Sequence, residues 1–124
     1  MIKLVFVLRR RAELSREEFQ RYWLEEHGPL VRERAAAIGA RRYVQVHTLE
    51  TPLDDALHEH RHGEPYDGVA ELWWDSLDNL IAVLGSEDGQ RANAELAEDE
   101  ARFIDLERSS LFLTEEQVIF DGNG

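Results

Sequence analysis

LSREEFQRYWLEEHGPLV, residues 14–31, is the stretch whose reading decides the fold. Ser15 followed three residues later by Glu18 is a capping box, in which each side chain satisfies the other residue's backbone donor at a helix start. Phe19, Tyr22, Trp23, His27, Leu30 and Val31 then recur at helical spacing and form one stripe of an amphipathic helix. Gly28–Pro29 interrupts the pattern. A proline there removes a backbone donor and its ring meets the carbonyl of Glu25, which predicts a kink or break just after His27. The stripe resumes through Ala35–Ala37 and stops at Gly39.

On either side of this helix the chain reads as strands. Residues 2–9 are rich in Val, Ile, Leu and Phe and make a first strand with both faces apolar. Residues 40–50 alternate, with Val44 and Val46 on one face and Tyr43, Gln45 and His47 on the other. Residues 51–66 form a long polar loop, of a length that is often functional or mobile. Residues 67–75 are a third strand. Asp75 or Ser76 caps a helix to Leu84, Gly85–Ser86 breaks it, and a second helical stretch follows to about Leu106. Residues 109–120 are the last strand, and 121–124 a frayed tail. The order β-α-β-β-α-β is the split βαβ of ferredoxin-like α+β folds: a four-stranded antiparallel sheet with helices on one face, in a single domain spanning 1–124. Both faces of the first strand are apolar, Ile2/Leu4/Phe6/Leu8 and Val5/Val7, and Trp73 lies opposite Leu72/Trp74. Left wet, the face away from the helices would expose more apolar surface than monomers usually tolerate, so a homodimer pairing two sheets is expected.

Composition narrows the function. The chain has 124 residues, 26 acidic against 14 basic, a net charge of −12 and no cysteine. Such a charge repels phosphate backbones and anionic lipid, so neither nucleic acid nor membrane is an expected partner. Arg9–Arg11 and Arg41–Arg42 read as solubilising charge at strand ends. Without cysteine there is no disulfide, thiolate zinc site or cysteine nucleophile. The apolar start precedes its arginines, the reverse of a signal peptide, and no run is long enough to span a bilayer; a cytoplasmic protein is expected. There is no P-loop, no G-x-G-x-x-G after a strand and no G-x-S-x-G elbow, and no cofactor is expected.

Residues 14–31, with their Trp-x-x-x-His-Gly-Pro, resemble the signature of EthD-type domains. So do Tyr43–His47, Glu71–Leu77 and Phe103–Asp105, in the same order along the chain. The resemblance covers about residues 2–113 and implies a dimeric α+β barrel. Related members include a muconolactone methylisomerase and cyclase-like or dehydratase-like enzymes of polyketide pathways. The methylisomerase's working histidine and tyrosine match His27 and Tyr43 here. Its third-strand cysteine has no counterpart, so the lactone chemistry does not carry over whole.

Read residue by residue, His27 sits on the apolar stripe facing the sheet, placed either to move protons near neutral pH or to cap the broken helix end. Tyr43, Gln45 and His47 share one strand face, expected to line the barrel interior. They form either a ligand pocket or a set bonded to one another or across a dimer, since an unpartnered buried polar group costs about 1–3 kcal/mol. Glu71 shares a face with Trp73 and would orient a histidine or act as base if that face looks inward. Trp73 is packing or an aromatic wall for a planar substrate. His58, His60 and His62 lie in the polar loop and read as a solvated segment or lid rather than a metal site. The leading expectation is a cofactor-independent isomerase, cyclase or dehydratase of a catabolic or polyketide-type pathway, acting on a small cyclic or aromatic-like carboxylic or polyketide-derived compound. His27 would transfer the proton and Tyr43 and His47 would polarise or orient the substrate, with Gln45, Glu71 and Trp73 binding it. The alternatives are a non-catalytic binding or accessory protein of a degradative pathway, holding a small hydrophobic ligand, and a haem-linked role.

Overall fold

The computed structural model describes residues 1–54, 56, 57 and 63–122; His58, His60 and His62 lie outside the described residues. Strands β1 (Ile2–Leu8), β2 (Arg42–His47), β3 (Gly68–Trp74) and β4 (Ser110–Thr114) form one antiparallel sheet in the order β2-β3-β1-β4. Helices α1 (Arg16–Tyr22), α2 (Gly28–Ile38), α3 (Leu77–Gly85) and α4 (Glu87–Glu100) provide the helical layer. The fold is therefore the α+β, ferredoxin-like arrangement that the sequence implies.

The register assigns every strand residue to a face. Leu4 opposes Leu72, Phe6 opposes Ala70, and Tyr43 and Gln45 oppose Leu72 and Ala70, so these side chains share the face under the helices. Phe19, Trp23 and Phe103 close on Leu8 and Ala70 there, and Val31 and Ile38 pack on Ala92 and Leu96 beside them. Lys3, Val5, Val7, Val44, Val46, Val69, Glu71, Trp73 and Phe112 occupy the opposite face. Tyr43, Gln45 and His47 thus look toward the helices and not into a barrel interior, because their β2 alternation is in phase with Leu4 and Phe6.

Four further expectations are corrected. The helix does not break at Gly28–Pro29. Trp23–His27 forms a π-helical turn instead, with the Gly28 N–H bonded to the Trp23 carbonyl, and Pro29 follows directly as α2 begins. Helix α4 ends at Glu100 rather than near Leu106, because Phe103 and Ile104 turn into the core and the backbone pairs with residues 9–11. Strand β4 stops at Thr114 rather than Phe120. Thr114, opposite Lys3, is the last residue of β4 paired with β1, and beyond it Val118, Ile119 and Phe120 stand 71%, 88% and 86% exposed. Finally, Arg10 is structural. Together with Arg16 it pairs with the buried Asp67 at 2.7 and 2.9 Å, tying the end of β1 and the start of α1 to β3. Arg9 lies over the Tyr66 ring.

Candidate functional site

The apolar stripe carries His27 inward at the last residue of the π turn, where it is 3% exposed. It does not cap a helix end. Its Nδ1 lies 2.7 Å from Asp99 Oδ2, a residue near the C-terminus of α4. Asp99 also accepts from the Tyr22 hydroxyl at 2.5 Å and from Arg102 at 3.3 Å. Burial alone would raise its pKa, but the hydrogen bonds from Tyr22 and His27 outweigh that and hold the carboxyl below the usual range. An ionised carboxylate only accepts, so Nδ1 is the protonated nitrogen of the neutral ring and Nε2 carries the lone pair. Burial lowers the His27 pKa despite the attraction of Asp99. Near neutral pH the ring is therefore a neutral base with a fixed tautomer.

His27 lines a partly open cavity of about 150 Å³ between sheet and helices. Its walls are mostly apolar, among them Leu4, Phe6, Leu72, Trp23 and Leu96; its polar side chains are His27, Tyr43, Asn93 and Glu100. Leu111 also lines it and is 55% exposed, which puts the mouth at the β4 edge of the sheet. Glu100 Oε2 is 3.9 Å from His27 Nε2, too far for a hydrogen bond, so each group keeps its reactive atom available. Burial, reinforced by the neighbouring charge of Asp99, pushes the Glu100 carboxyl up to about 7. Burial likewise pushes the Tyr43 hydroxyl up to about 12, so it stays protonated.

The residues expected from the sequence divide accordingly. His27 and Tyr43 meet in the cavity. Gln45 and His47 stand behind it: Gln45 Nε2 donates to the Tyr43 hydroxyl at 2.9 Å and to the Trp23 carbonyl at 2.8 Å, and its Oε1 lies 2.8 Å from His47 Nε2. The His47 ring stacks on Trp23 at 4.5 Å, and His47 lines an outer groove with Leu24, Pro29 and Arg32. Trp23 thus separates His47 from His27. Glu71 and Trp73 lie across the sheet from the cavity. Glu71 pairs with Lys3 at 2.8 Å, and Trp73, 7% exposed, is covered by Lys3 and Arg42 and donates to Glu116 at 2.9 Å. Asp99, Glu100, Tyr22 and Asn93 complete the site and were not singled out from the sequence. Among the described residues no group of three or more His, Cys, Asp or Glu is placed to hold a metal.

The model of the EthD domain matches residues 11–107, most of the chain. The protein belongs to the EthD family. Among solved structures, an EthD family protein of Bacillus halodurans superposes with a TM-score of 0.62 at 19% identity, over 94% of this chain and 99% of that one. An EthD-like protein of Ralstonia eutropha gives 0.61 at 21%, over 96% and 95%. A dimeric ferredoxin-like protein of Thermobifida fusca gives 0.55 at 15%, over 91% and 88%. At these identities the similarity speaks for the fold of this EthD protein and not for its chemistry. No curated protein sequence matches it. No helix among the described residues is long and apolar enough to cross a membrane.

Proposed function

We propose that this EthD protein is a cofactor-independent enzyme that isomerises, cyclises or dehydrates a small cyclic carbonyl compound by proton transfer. The observation that carries the reading is the His27 imidazole, oriented by Asp99 at 2.7 Å, with its Nε2 3.9 Å from the raised-pKa carboxyl of Glu100 and both residues lining one cavity. A neutral imidazole base and a carboxyl raised to about 7, lining one small space, are what enolisation requires. Nε2 takes a proton from the carbon beside the carbonyl, and the C–H electron pair becomes the enol double bond. The carbonyl π pair moves to oxygen, which takes the Glu100 proton. Where the ring carries a double bond conjugated with the enol, addition of the His27 proton to that bond's far carbon shifts the double bond, the enol proton returns to Glu100 as the carbonyl re-forms, and the isomerisation is complete. Tyr43, held by Gln45 and in turn by His47, orients the ring. General acid–base catalysis of this kind contributes about 10²–10⁴-fold.

A second copy of the chain is its proposed partner. The sheet face away from the helices carries Val44, Val46, Val69 and Phe112 with no helix over it among the described residues, Val46 and Phe112 being 45% and 46% exposed, and the Thermobifida structure is itself described as dimeric. The cytoplasm fits a cysteine-free chain.

The test is deuterium incorporation into cyclopentanone, cyclohexanone and 2-cyclohexenone in D₂O, followed by NMR. The protein should accelerate exchange of the α-protons, and His27→Ala should abolish about 99% of that acceleration. Retention of binding without any exchange, in wild type and His27→Ala alike, would instead establish a binding protein.

A further inference from the structure

The proposed proton transfer leaves open which compounds enter, and the cavity's size and charge restrict them. At about 150 Å³ it matches the volume at which a buried protein cavity holds one benzene-sized molecule. Two fused rings exceed the single ring that such a volume holds, and the wall at Trp23, 1% exposed and packed on Phe19 and His47, is fixed. The charge pattern is equally restrictive. Among the described residues no lysine or arginine lines the cavity. Its polar side chains are the Asp99-bound imidazole of His27, the hydroxyl of Tyr43, the amide of Asn93 and the carboxyl of Glu100. A ligand carboxylate would be stripped of water, find no lysine or arginine among the described residues, and lie beside Glu100 with the charge of Asp99 behind it.

Building on the reading above, we infer that the cavity takes an uncharged single-ring ligand presenting one hydrogen-bond-accepting oxygen to Glu100, and that it excludes carboxylates. A ring carboxylic acid, one of the substrate types expected from the sequence, is thereby set aside in favour of a ketone, enone or lactone. Glu100 is the selecting residue. It faces His27 from the π turn, Tyr43 from β2 and Asp99 on its own helix, and none of these supplies a positive charge to hold it ionised. Protonated, it donates to the ligand oxygen; ionised, it repels that oxygen. Binding of a neutral acceptor should therefore weaken as pH rises through about 7.

Isothermal titration of the full chain with cyclohexanone, cyclohexanecarboxylate and 2-decalone, at about pH 6 and about pH 8.5, tests this. Cyclohexanone should bind at the lower pH, with the carboxylate and the bicyclic ketone each at least about tenfold weaker. The cyclohexanone affinity should fall about fivefold or more at the higher pH in wild type but not in Glu100→Gln, whose amide N–H remains a donor at both pH values. Equal binding of the carboxylate, tight binding of 2-decalone, or a pH dependence that persists in Glu100→Gln would overturn the inference. The catalytic reading is decided separately. Selective binding without α-proton exchange would sink that reading and leave the selectivity standing, whereas exchange with an equally well-bound carboxylate would do the reverse.

Discussion

Replacing Asp99 by asparagine perturbs the site at one atom, and its consequences can be worked through. The carboxylate accepts from Tyr22 at 2.5 Å, from Arg102 at 3.3 Å and from His27 at 2.7 Å, with the side chain almost wholly buried. The amide keeps one accepting oxygen, which Tyr22 retains. Its NH₂ group replaces the oxygen facing His27, so the bond survives only if the imidazole presents a lone pair at Nδ1 and moves its proton to Nε2. Two short charge-assisted bonds become neutral ones, at about 1 kcal/mol each, giving about 2 kcal/mol of destabilisation. In a domain of this size that corresponds to a fall of about 6–10 °C in Tm. The tautomer change removes the base from the cavity, so any α-proton exchange should fall by about 10²-fold or more even at temperatures where the variant is fully folded. Urea denaturation and the D₂O exchange assay read the two effects independently. A variant that loses less than about 0.5 kcal/mol and keeps its exchange rate would show that Asp99 neither anchors nor orients His27.

Other substitutions separate stability from function. Glu100→Gln should stabilise the protein at pH 8 by on the order of 2 kcal/mol and change little at pH 4 while lowering exchange: a carboxyl raised to about 7 contributes fully below its unfolded value and loses that contribution as pH rises through 7. Urea midpoints at the two pH values check it. Asp67→Ala should cost about 3–5 kcal/mol, measured the same way, because it leaves Arg10 and Arg16 facing a buried site without their carboxylate. Gly68→Ala should cost about 1–3 kcal/mol, since a Cβ there would stand 2.5 Å from the Trp23 ring and 2.8 Å from the Val46 carbonyl. Val46→Glu with Phe112→Glu should convert a dimer into a monomer in light scattering without loss of the helical circular dichroism signal; a wild type already monomeric would refute the proposed pairing.

Much of the fold was legible because its signals are local. The Ser15–Glu18 box, the stripe from Phe19 to Val31 and the β2 alternation each depend on neighbouring residues, and all three are present in the structure. Where pairing with distant segments decides the outcome, the reading failed. Strand β4 pairs with β1 only as far as Thr114 opposite Lys3, and α4 ends because Phe103 and Ile104 are drawn into the core. Pro29 predicts a kink or break just after His27, and the irregularity that forms there is a π turn ending at that residue. Half of the site was legible for the same reason. His27 and Tyr43 lie on periodic apolar faces. Asp99 and Glu100 belong to an acidic helical stretch whose composition reads as solvated. Ala92 and Leu96 continue at helical spacing to 99, 100 and 103, so the apolar stripe runs through the acidic pair, and that placement was the available signal.

The most direct test of the whole account is the protonation of His27 itself, read by ¹H–¹⁵N correlation spectroscopy of the imidazole in the folded protein as pH falls from 8 to 5. The account predicts a neutral ring protonated at Nδ1 with a bare Nε2, persisting below the ordinary histidine pKa of about 6.5. A ring protonated at Nε2, or already cationic at pH 7, would contradict it, because neither form presents a base to the cavity.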